Sequence, residues 1–238
     1  LGLDIYEAYG QTENTAFATI GKPGENTMTS VGKARAGVDV KIADNGEILI
    51  KSPGDMVGYY KDEELTKTVF TDDGYLKTGD MGRFDDNGFL YIIGRVKEQF
   101  KTAKGEYITP VRIENEFSKN TDIEQCCLVG AGLRQPVLLV MLSETKKQKG
   151  EQHLTKSLAE QLDRINPGLS THEKVSHIIV VNDTWTPENG LMTATLKLRR
   201  KEIEHHYKNL IEATQTVSDP IMWESHTLGQ GSQQQQAA

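Results

Sequence analysis

Four short segments of this chain carry residue types that suit the chemistry of phosphates and nucleotides. In the first, YGQTE at residues 9–13, Gly10 lets a ligand approach the backbone, and Thr12 offers a hydroxyl to a phosphate oxygen. Glu13 offers a hard carboxylate to Mg²⁺, which proteins hold with one or two carboxylates together with phosphate oxygens. Taken alone, the pentapeptide is more typical of an ordinary loop.

The second and fourth segments each present one charged side chain beside a glycine turn. In YLKTGDMG, Asp80 follows Gly79 and is suited to grip both hydroxyls of a ribose, as an acidic residue does in dinucleotide-binding folds. An aspartate is also common in turns for local hydrogen bonding, so that alternative stays open. In PENGLMTATLKLRRKEI, a loop with Asn189 and Gly190 delivers Lys197 just ahead of a predicted helix. A lysine on such a loop is usually only solvent-exposed.

The third segment, GRVKEQFKTAKGE, begins at Gly94 in an otherwise acidic protein. It contains four basic residues, Arg95, Lys97, Lys101 and Lys104. On its own this pattern favours a solvated hairpin with a lysine-rich face. The charge balance changes at the same point, because residues 1–93 hold 9 Lys and Arg against 16 Asp and Glu, whereas residues 94–238 hold 18 of each. This step predicts a domain boundary near Gly94.

The elements that must position these segments differ on the two sides of Gly94. Before it the pattern is mostly β: VDVKI and EILIKS alternate around the turn ADNG and predict a hairpin, and GFLYIIG predicts a further strand. Between them, DEELTKTVF predicts a short helix with Asp62 as its N-cap and with Leu65, Val69 and Phe70 at helical spacing.

After Gly94 the pattern is of the α+β kind, so the whole chain is expected to be an α/β (α+β) protein. A predicted hairpin over FKTAKGEYI leads to a helix that Thr109 can cap and Pro110 can begin. The apolar runs QCCLVGA and PVLLVML predict strands, followed by a helix through HLTKSLAEQLDRI, a strand VSHIIVV and a helix around LRRKEIEHHYKNLIEA. Strand alternation should send Cys126 and Cys127 to opposite faces, which disfavours a mutual disulfide.

Composition excludes several classes of protein. With 37% hydrophobic and 26% charged residues, the 238-residue chain is typical of a globular protein of one or two domains. A formal net charge of −7 argues against nucleic acid as the main partner. No apolar run approaches the roughly 20 residues that cross a bilayer, and the first residues lack a signal-peptide pattern. We expect a cytoplasmic protein without a transmembrane segment, and peripheral contact with a membrane stays open.

In order and spacing, the four segments together resemble the adenylate-forming enzymes: acyl-CoA synthetases, firefly-type luciferases and the adenylation domains of peptide synthetases. The resemblance runs from about Leu1 to about Ile211. KTAKGEYITPVRIE and TLKLRRK look like the long-chain fatty acyl-CoA synthetases in particular. The implied substrates are a fatty acid, ATP and CoA, with Mg²⁺ as cofactor and AMP and pyrophosphate as products. The resemblance leaves the oligomeric state and the acyl chain length unknown.

The resemblance also assigns roles to individual residues of the first two segments and to Arg95. It implies that Tyr9 packs on adenine, that Thr12 meets the α-phosphate and that Glu13 binds Mg²⁺. The ribose hydroxyls would be held by Asp80. Arg95 would reach the nucleotide as well.

The remaining assignments concern a mobile C-terminal lid. Lys197 corresponds to the family's catalytic lysine and Lys97 to its interdomain hinge, while Gly105 and Lys101 would lie near the pantetheine arm of CoA. The expected domains are residues 1–96, the C-terminal end of the large AMP-binding domain; residues 97–223, the lid; and residues 224–238, a disordered low-complexity tail.

Some features depart from the family's pattern. The glycine-rich phosphate loop and the acyl pocket lie upstream of YGQTE in this family, and the chain opens without methionine a few residues before that motif. We therefore expect a C-terminal fragment that is inactive alone. Ala194 stands where many long-chain synthetases carry proline, which should loosen the lysine loop slightly. The alternatives are a ligase that passes the acyl group from acyl-AMP to a carrier protein, and a noncatalytic binding module.

Overall fold

The computed structural model describes residues 4–25 and 27–226 of the chain, which forms two compact units, residues 1–97 and residues 98–238. The elements of the first unit are β1 (Ala8–Tyr9), β2 (Thr19–Ile20), β3 (Lys33–Ala34), β4 (Asp39–Ile42), β5 (Glu47–Lys51), α1 (Glu63–Val69), β6 (Leu76–Phe84) and β7 (Leu90–Arg95). Short 3-10 turns occupy Thr12–Asn14 and Val96–Glu98.

The first unit is built on two antiparallel sheets, of order β1-β2-β3 and β4-β5-β6-β7. The predicted hairpin around ADNG is confirmed as β4 and β5, and the strand in GFLYIIG is confirmed as β7. Ile48 and Ile50 of β5 and Leu90 of β7 are fully buried together with Ala18. The alternating pattern therefore places one face of this sheet on a small core.

Helix α1 confirms one part of its prediction and corrects another. The carboxylate of Asp62 accepts a hydrogen bond from the backbone N–H of Leu65 at 2.9 Å, as an N-cap should. The placement of Phe70 on the helix is wrong, because its backbone is extended and it forms an antiparallel bridge with Leu76. Pairing with the sheet ends the helix at Val69, and Leu65 remains 45% exposed.

The second unit contains more helix. Its elements are β8 (Phe100–Lys101), β9 (Tyr107–Ile108), α2 (Pro110–Phe117), β10 (Ile123–Val129), β11 (Val137–Leu142), α3 (Glu144–Lys147), α4 (Glu151–Ile165), β12 (His177–Val181), α5 (Arg200–His206), α6 (Lys208–Ala213) and β13 (Ile221–Trp223). Its main sheet has the order β10-β11-β12-β13, with β10 antiparallel to β11 and the other two pairs parallel. Strands β8 and β9 form the predicted hairpin. The mixed α+β fold class is thus confirmed.

Both faces of the main sheet are covered by apolar side chains. Cys126 belongs to the cluster that includes residues of α2 and α4, whereas Cys127 belongs to the cluster that includes residues of α5 and α6. Their predicted divergence is confirmed, and both thiols are free. Burial raises the pKa of Cys126 to about 12, so this thiol stays protonated.

Two details of the second unit differ from the sequence expectations. Helix α2 begins at Pro110 as predicted, but Thr109 makes no side-chain cap; its hydroxyl accepts from Gln99 at 3.1 Å. The single helix predicted around LRRKEIEHHYKNLIEA is two, because the backbone leaves helical geometry at Tyr207. The buried Tyr207 hydroxyl is held by Trp185 and Asp183 at that break.

The expected low-complexity tail starts inside the described part and continues outside it. Residues 224–226 are helical, and the remainder of the tail, residues 227–238, lies outside the described residues. Within the described ranges, no helix has the length and apolar character required to cross a bilayer.

Candidate active site

Asp80, near the middle of β6, is the side chain on which the first unit's candidate residues converge. This residue is only 6% exposed. The hydroxyl of Tyr9 donates to Oδ2 at 2.7 Å, Nε2 of Gln11 donates to the same oxygen at 2.8 Å, and Nε of Arg95 lies 3.0 Å from Oδ1. The structure therefore joins YGQTE, TGD and the beginning of the basic stretch in one hydrogen-bonded group.

Gln11 is a member of this group that the sequence reasoning missed. Besides contacting Asp80, its Nε2 donates to the backbone carbonyl of Thr78 at 2.8 Å. Its backbone N–H donates to Oδ1 of the buried Asn14 at 2.7 Å, which fixes the turn that follows. The sequence signal that could have identified Gln11 is its place inside YGQTE, where it occupies the position that was treated as variable.

Tyr9 is held as a hydrogen-bond donor. Burial, more than its contacts with Asp80, raises the pKa of the Tyr9 hydroxyl far above its usual range. The phenol therefore stays protonated and can donate to the carboxylate at any physiological pH. The expected contact with adenine concerns the ring, and the structure places the hydroxyl on Asp80.

Glu13 and Thr12 lie on the 3-10 turn Thr12–Asn14. Oε1 of Glu13 accepts a hydrogen bond from the hydroxyl of Tyr59 at 2.9 Å, and this bond raises the pKa of Tyr59. The backbone carbonyl of Glu13 accepts from the N–H of Met56 at 2.7 Å. The loop before α1 thus supports Glu13 through both its side chain and its backbone. No local sequence pattern predicts this contact. Thr12 is exposed.

Gly10 has a structural requirement of its own. A Cβ atom at this position would lie 2.4 Å from the backbone Cα and C of Ala16. Backbone atoms cannot move aside cheaply, so the loop needs glycine here whether or not a ligand binds. The sequence reasoning explained this glycine by the approach of a ligand, whereas the contact in the structure is internal.

The TGD turn is fixed by Glu47, a residue that the sequence reasoning did not identify. The backbone N–H of Gly79 donates to Oε1 of Glu47 at 2.8 Å, and Gly79 has a φ of 70°, which favours glycine. The hydroxyl of Thr78 donates to the carbonyl of Ile48 at 2.8 Å. Glu47 is 32 residues away in the chain, so only the pairing of β5 with β6 reveals its role.

A cleft of about 580 Å³ in the first unit borders these groups. Acidic Glu13 and Glu47 and basic Arg95 and Lys97 line it, together with the exposed Thr12. This mixture of hard carboxylate, hydroxyl and cationic groups suits a phosphorylated sugar with a bound cation. Lys97 is also the last residue of the first unit and lies in the 3-10 turn Val96–Glu98.

The donor set fits Mg²⁺ only with help from a ligand. No group of three or more His, Cys, Asp or Glu side chains in residues 4–25 and 27–226 is arranged to hold a metal ion. Mg²⁺ commonly takes one or two carboxylates and completes its shell with water and phosphate oxygens. Glu13 on the cleft wall fits that pattern.

Lys197 lies on a tight loop of the second unit. The loop is closed by an antiparallel bridge between Met192 and Leu198. The N–H of Lys197 donates to Oγ1 of Thr193 at 3.0 Å, and the carbonyl of Lys197 accepts from the N–H of Thr193 at 2.8 Å. The backbone of this lysine is therefore fixed while its side chain is exposed, and within the described part of the chain its ammonium forms no ion pair.

Lys101 and Gly105 lie on the β8–β9 hairpin. The ammonium of Lys101 lies 4.7 Å from the ring centroid of Tyr107, a cation–π contact. Gly105 has a φ of 80° and its N–H donates to the carbonyl of Thr102 at 2.9 Å, which closes the turn. No atom lies within 4 Å of a Cβ built at Gly105, so this turn has open space beside it. Lys104 is exposed on the same turn.

The structure thus brings Tyr9, Asp80 and Arg95 into direct contact and places Thr12, Glu13 and Lys97 on the wall of one cleft. The other predicted residues, Lys101, Gly105 and Lys197, belong to the second unit, on two separate loops.

Two family models match this chain, one in each of its two units. Residues 1–60 match the family model of the AMP-binding enzymes, and residues 97–218 match the model of the AMP-binding enzyme C-terminal domain.

Curated relatives are similar over most of the chain. Long-chain-fatty-acid–CoA ligase 6 of Rattus norvegicus is 33% identical over 92% of this chain, and long-chain-fatty-acid–CoA ligase 5 of the same species is 36% identical over 90%. This chain spans about a third of the length of these relatives, 35% of each.

A solved structure confirms the fold. The anthranilate CoA ligase AuaEII, in complex with anthranoyl-AMP, matches with a TM-score of 0.68 and 23% identity, over 88% of this chain and 40% of that one.

Proposed function

Because the chain belongs to the AMP-binding enzyme family, we propose that it forms part of an ATP-dependent acyl-CoA synthetase that acts on long-chain fatty acids. In the first half-reaction, a fatty acid carboxylate attacks the α-phosphorus of ATP, giving acyl-AMP and releasing pyrophosphate. In the second, the thiol of CoA attacks the acyl carbon and AMP leaves. The observation that best supports this proposal is the group of Tyr9, Gln11 and Arg95 around the buried Asp80.

The first unit would bind the nucleotide. Asp80 would accept hydrogen bonds from the ribose hydroxyls, with its orientation fixed by neighbours on both of its oxygens. Tyr9 would pack its ring on adenine, and Arg95 would contribute a positive charge beside the nucleotide. Charge-assisted hydrogen bonds are about twice as strong as neutral ones, so a preoriented carboxylate is a favourable partner for a sugar.

The reacting phosphate would lie along the same cleft. Thr12 would donate its hydroxyl to the α-phosphate, and Glu13 would hold Mg²⁺ together with phosphate oxygens. A bound Mg²⁺ would neutralise charge that develops on those oxygens. Tyr59 would keep the carboxylate of Glu13 in place through its 2.9 Å hydrogen bond.

The second unit would supply the mobile groups. The exposed Lys197 would stabilise negative charge as the fatty acid carboxylate meets the α-phosphate. Lys97 would be the hinge on which residues 97–223 move as a lid relative to the AMP-binding part, residues 1–96. Lys101 and Gly105 would lie near the pantetheine arm of CoA during the second half-reaction. We place the protein in the cytoplasm.

One experiment tests this proposal at two levels. ATP and AMP are each titrated into the 238-residue chain by calorimetry, and acid-dependent ATP to pyrophosphate exchange is assayed with the same chain. AMP release that depends on both a fatty acid and CoA is measured with the complete protein. We expect weak AMP binding by the chain, no acid-dependent ATP to pyrophosphate exchange by the chain alone, and CoA-dependent release by the complete protein.

The other outcomes are equally informative. Acid-dependent pyrophosphate release that is not followed by AMP release when CoA is added would favour a ligase that serves a carrier protein. If neither ATP nor AMP binds, a noncatalytic interaction module becomes the better explanation.

A further inference from the structure

A buried ion pair lies at the start of α5, immediately after residues 191–199, the lysine loop of the second unit. Nη1 of Arg200 lies 2.5 Å from Oε1 of Glu114, and Nη2 lies 3.1 Å from Oε2, so the guanidinium and the carboxylate meet through two parallel hydrogen bonds. Glu114 is 9% exposed, and Arg200 is largely buried as well. This bidentate geometry fixes the relative orientation of the two side chains as well as the distance between them.

The same pair is also bonded to strand β10. The N–H of Leu128 donates to Oε1 of Glu114 at 2.6 Å, and the carbonyl of Leu128 accepts from Nη1 of Arg200 at 2.7 Å. Glu114 comes from α2 and Arg200 is the first residue of α5. The pair therefore fixes the start of α5 to a helix and to a strand of the sheet.

The lysine loop is anchored at both ends. At its beginning, Leu191 and Met192 are buried in the apolar cluster that includes residues of α5 and α6. At its end, Arg199 donates its backbone N–H to the carbonyl of Leu191 at 2.9 Å, and Arg200 follows in the buried pair. Only two residues separate Lys197 from Arg200, so the position of Arg200 limits where the lysine can be.

The start of α5 is held by an ion pair, although apolar contacts could hold a helix at a lower cost in free energy. Burying two charges is expensive, and a buried pair often contributes little net stability compared with apolar residues of similar volume. Its directional bonds, however, allow a single orientation of the start of α5. We propose that Arg200, held by Glu114, is a positioning residue that sets the geometry of Lys197. The consequence for catalysis rests on the function proposed above, whereas the anchoring of the loop does not.

The anchoring is tested on the 238-residue chain by hydrogen exchange. Arg200→Lys keeps the positive charge but loses the planar fork, and Glu114→Gln keeps the shape but loses the charge. We expect the amides of Thr193, Lys197 and Arg199, all hydrogen-bonded in the loop, to exchange at least about tenfold faster in both variants. Amides of β11 should be unchanged.

A matched control lies on the same helix. Arg112 of α2 pairs with Glu173 at 2.6 Å, and this pair has no bond to the lysine loop. Arg112→Ala should leave exchange in the loop as it is in the wild type. Unchanged loop exchange in both Arg200→Lys and Glu114→Gln, with the chain folded, would overturn the proposal. Equal acceleration across the whole second unit would also overturn it, since that result means a general structural role.

The catalytic consequence is tested in the complete enzyme. Arg200→Lys should lower kcat for adenylation by about tenfold with little change in KM for ATP, while thioester formation from supplied acyl-AMP continues. Arg112→Ala should affect neither rate. An unchanged adenylation rate in a variant whose loop exchanges faster would refute the positioning role. A wild-type enzyme without any acid-dependent activity would instead refute the proposed function and leave the exchange result standing.

Discussion

Tyr9 and Asp80 are 71 residues apart in the chain, and the phenol of the first donates a 2.7 Å hydrogen bond to the carboxylate of the second. The bond links β1, in one sheet of the first unit, to β6, in the other. Because Asp80 also pairs with Arg95, its two oxygens are held from different directions. The aspartate is thus oriented before any ligand arrives, which reduces the side-chain entropy that the protein loses when a ligand binds.

Replacement of Asp80 tests whether this carboxylate binds the nucleotide. Asp80→Ala, made in the complete enzyme, should weaken ATP and AMP binding together, because it removes up to two hydrogen bonds to a charged acceptor. Each such bond is worth roughly 1.5 to 3 kcal/mol, which corresponds to about tenfold or more in affinity. Calorimetric titration with both nucleotides measures the loss. Asp86→Ala, at an exposed turn outside the cleft, should change neither affinity, and an unaltered AMP affinity in Asp80→Ala would make this aspartate a turn residue only.

Substitution at Gly10 separates packing from ligand binding. Gly10→Ala would place Cβ 2.4 Å from the backbone of Ala16, so we expect it to destabilise the free chain by about 1 to 3 kcal/mol. Urea denaturation of the 238-residue chain without nucleotide measures this. Gly168→Ala is the control, since a Cβ there meets no atom within 4 Å. If Gly10→Ala is as stable as the wild type, the internal contact is not what requires this glycine.

The role of Lys197 is tested by separating the two half-reactions. Lys197→Ala in the complete enzyme should slow adenylation by about 10² to 10³, the usual cost of losing one preorganised electrostatic group. Thioester formation from supplied acyl-AMP should survive. The two rates are measured separately, with acid plus ATP and with preformed acyl-AMP plus CoA. Lys201→Ala, at an exposed position of α5, serves as the control; an equal loss of both rates in Lys197→Ala would contradict the assignment.

The hinge assignment of Lys97 predicts the opposite selectivity. Lys97→Pro would fix φ near −65° and restrict the residue before it, so a lid that moves about this point could no longer change position. Adenylation should persist while CoA transfer fails, in the same pair of assays. Lys97→Arg leaves the backbone free, keeps the positive charge on the cleft wall and should preserve both rates. A proline variant that remains folded and transfers the acyl group to CoA at the normal rate would show that the lid moves elsewhere.

Sequence patterns were sufficient for features that depend on neighbouring residues. The turn ADNG located the β4–β5 hairpin, and strand alternation separated Cys126 from Cys127. The order of four motifs was sufficient to identify the family. For the hairpin and the cysteines the information lies in a few consecutive residues, whereas the family is identified by the order of four such segments along the chain.

Other features depend on residues far apart in the chain and carry no local signal. The contact of Glu47 with Gly79 arises from strand pairing, and that of Tyr59 with Glu13 from the path of a loop. The same reason explains why Phe70 was placed on a helix, since its bridge to Leu76 decides its backbone conformation. Long-range packing overrides helical spacing there.

The two adjacent cysteines give this protein an internal pair of reporters. Cys126 reports on the layer with α2 and α4, and Cys127 reports on the layer with α5 and α6. Both thiols are buried and protonated, so a thiol reagent can reach each of them only when its own layer opens. Because Cys127 also accepts a hydrogen bond from Arg200 at 3.3 Å, its alkylation rate would record how often the helix that follows the lysine loop detaches from the sheet. One peptide with two possible labelling sites would thus show which layer of the second unit opens first.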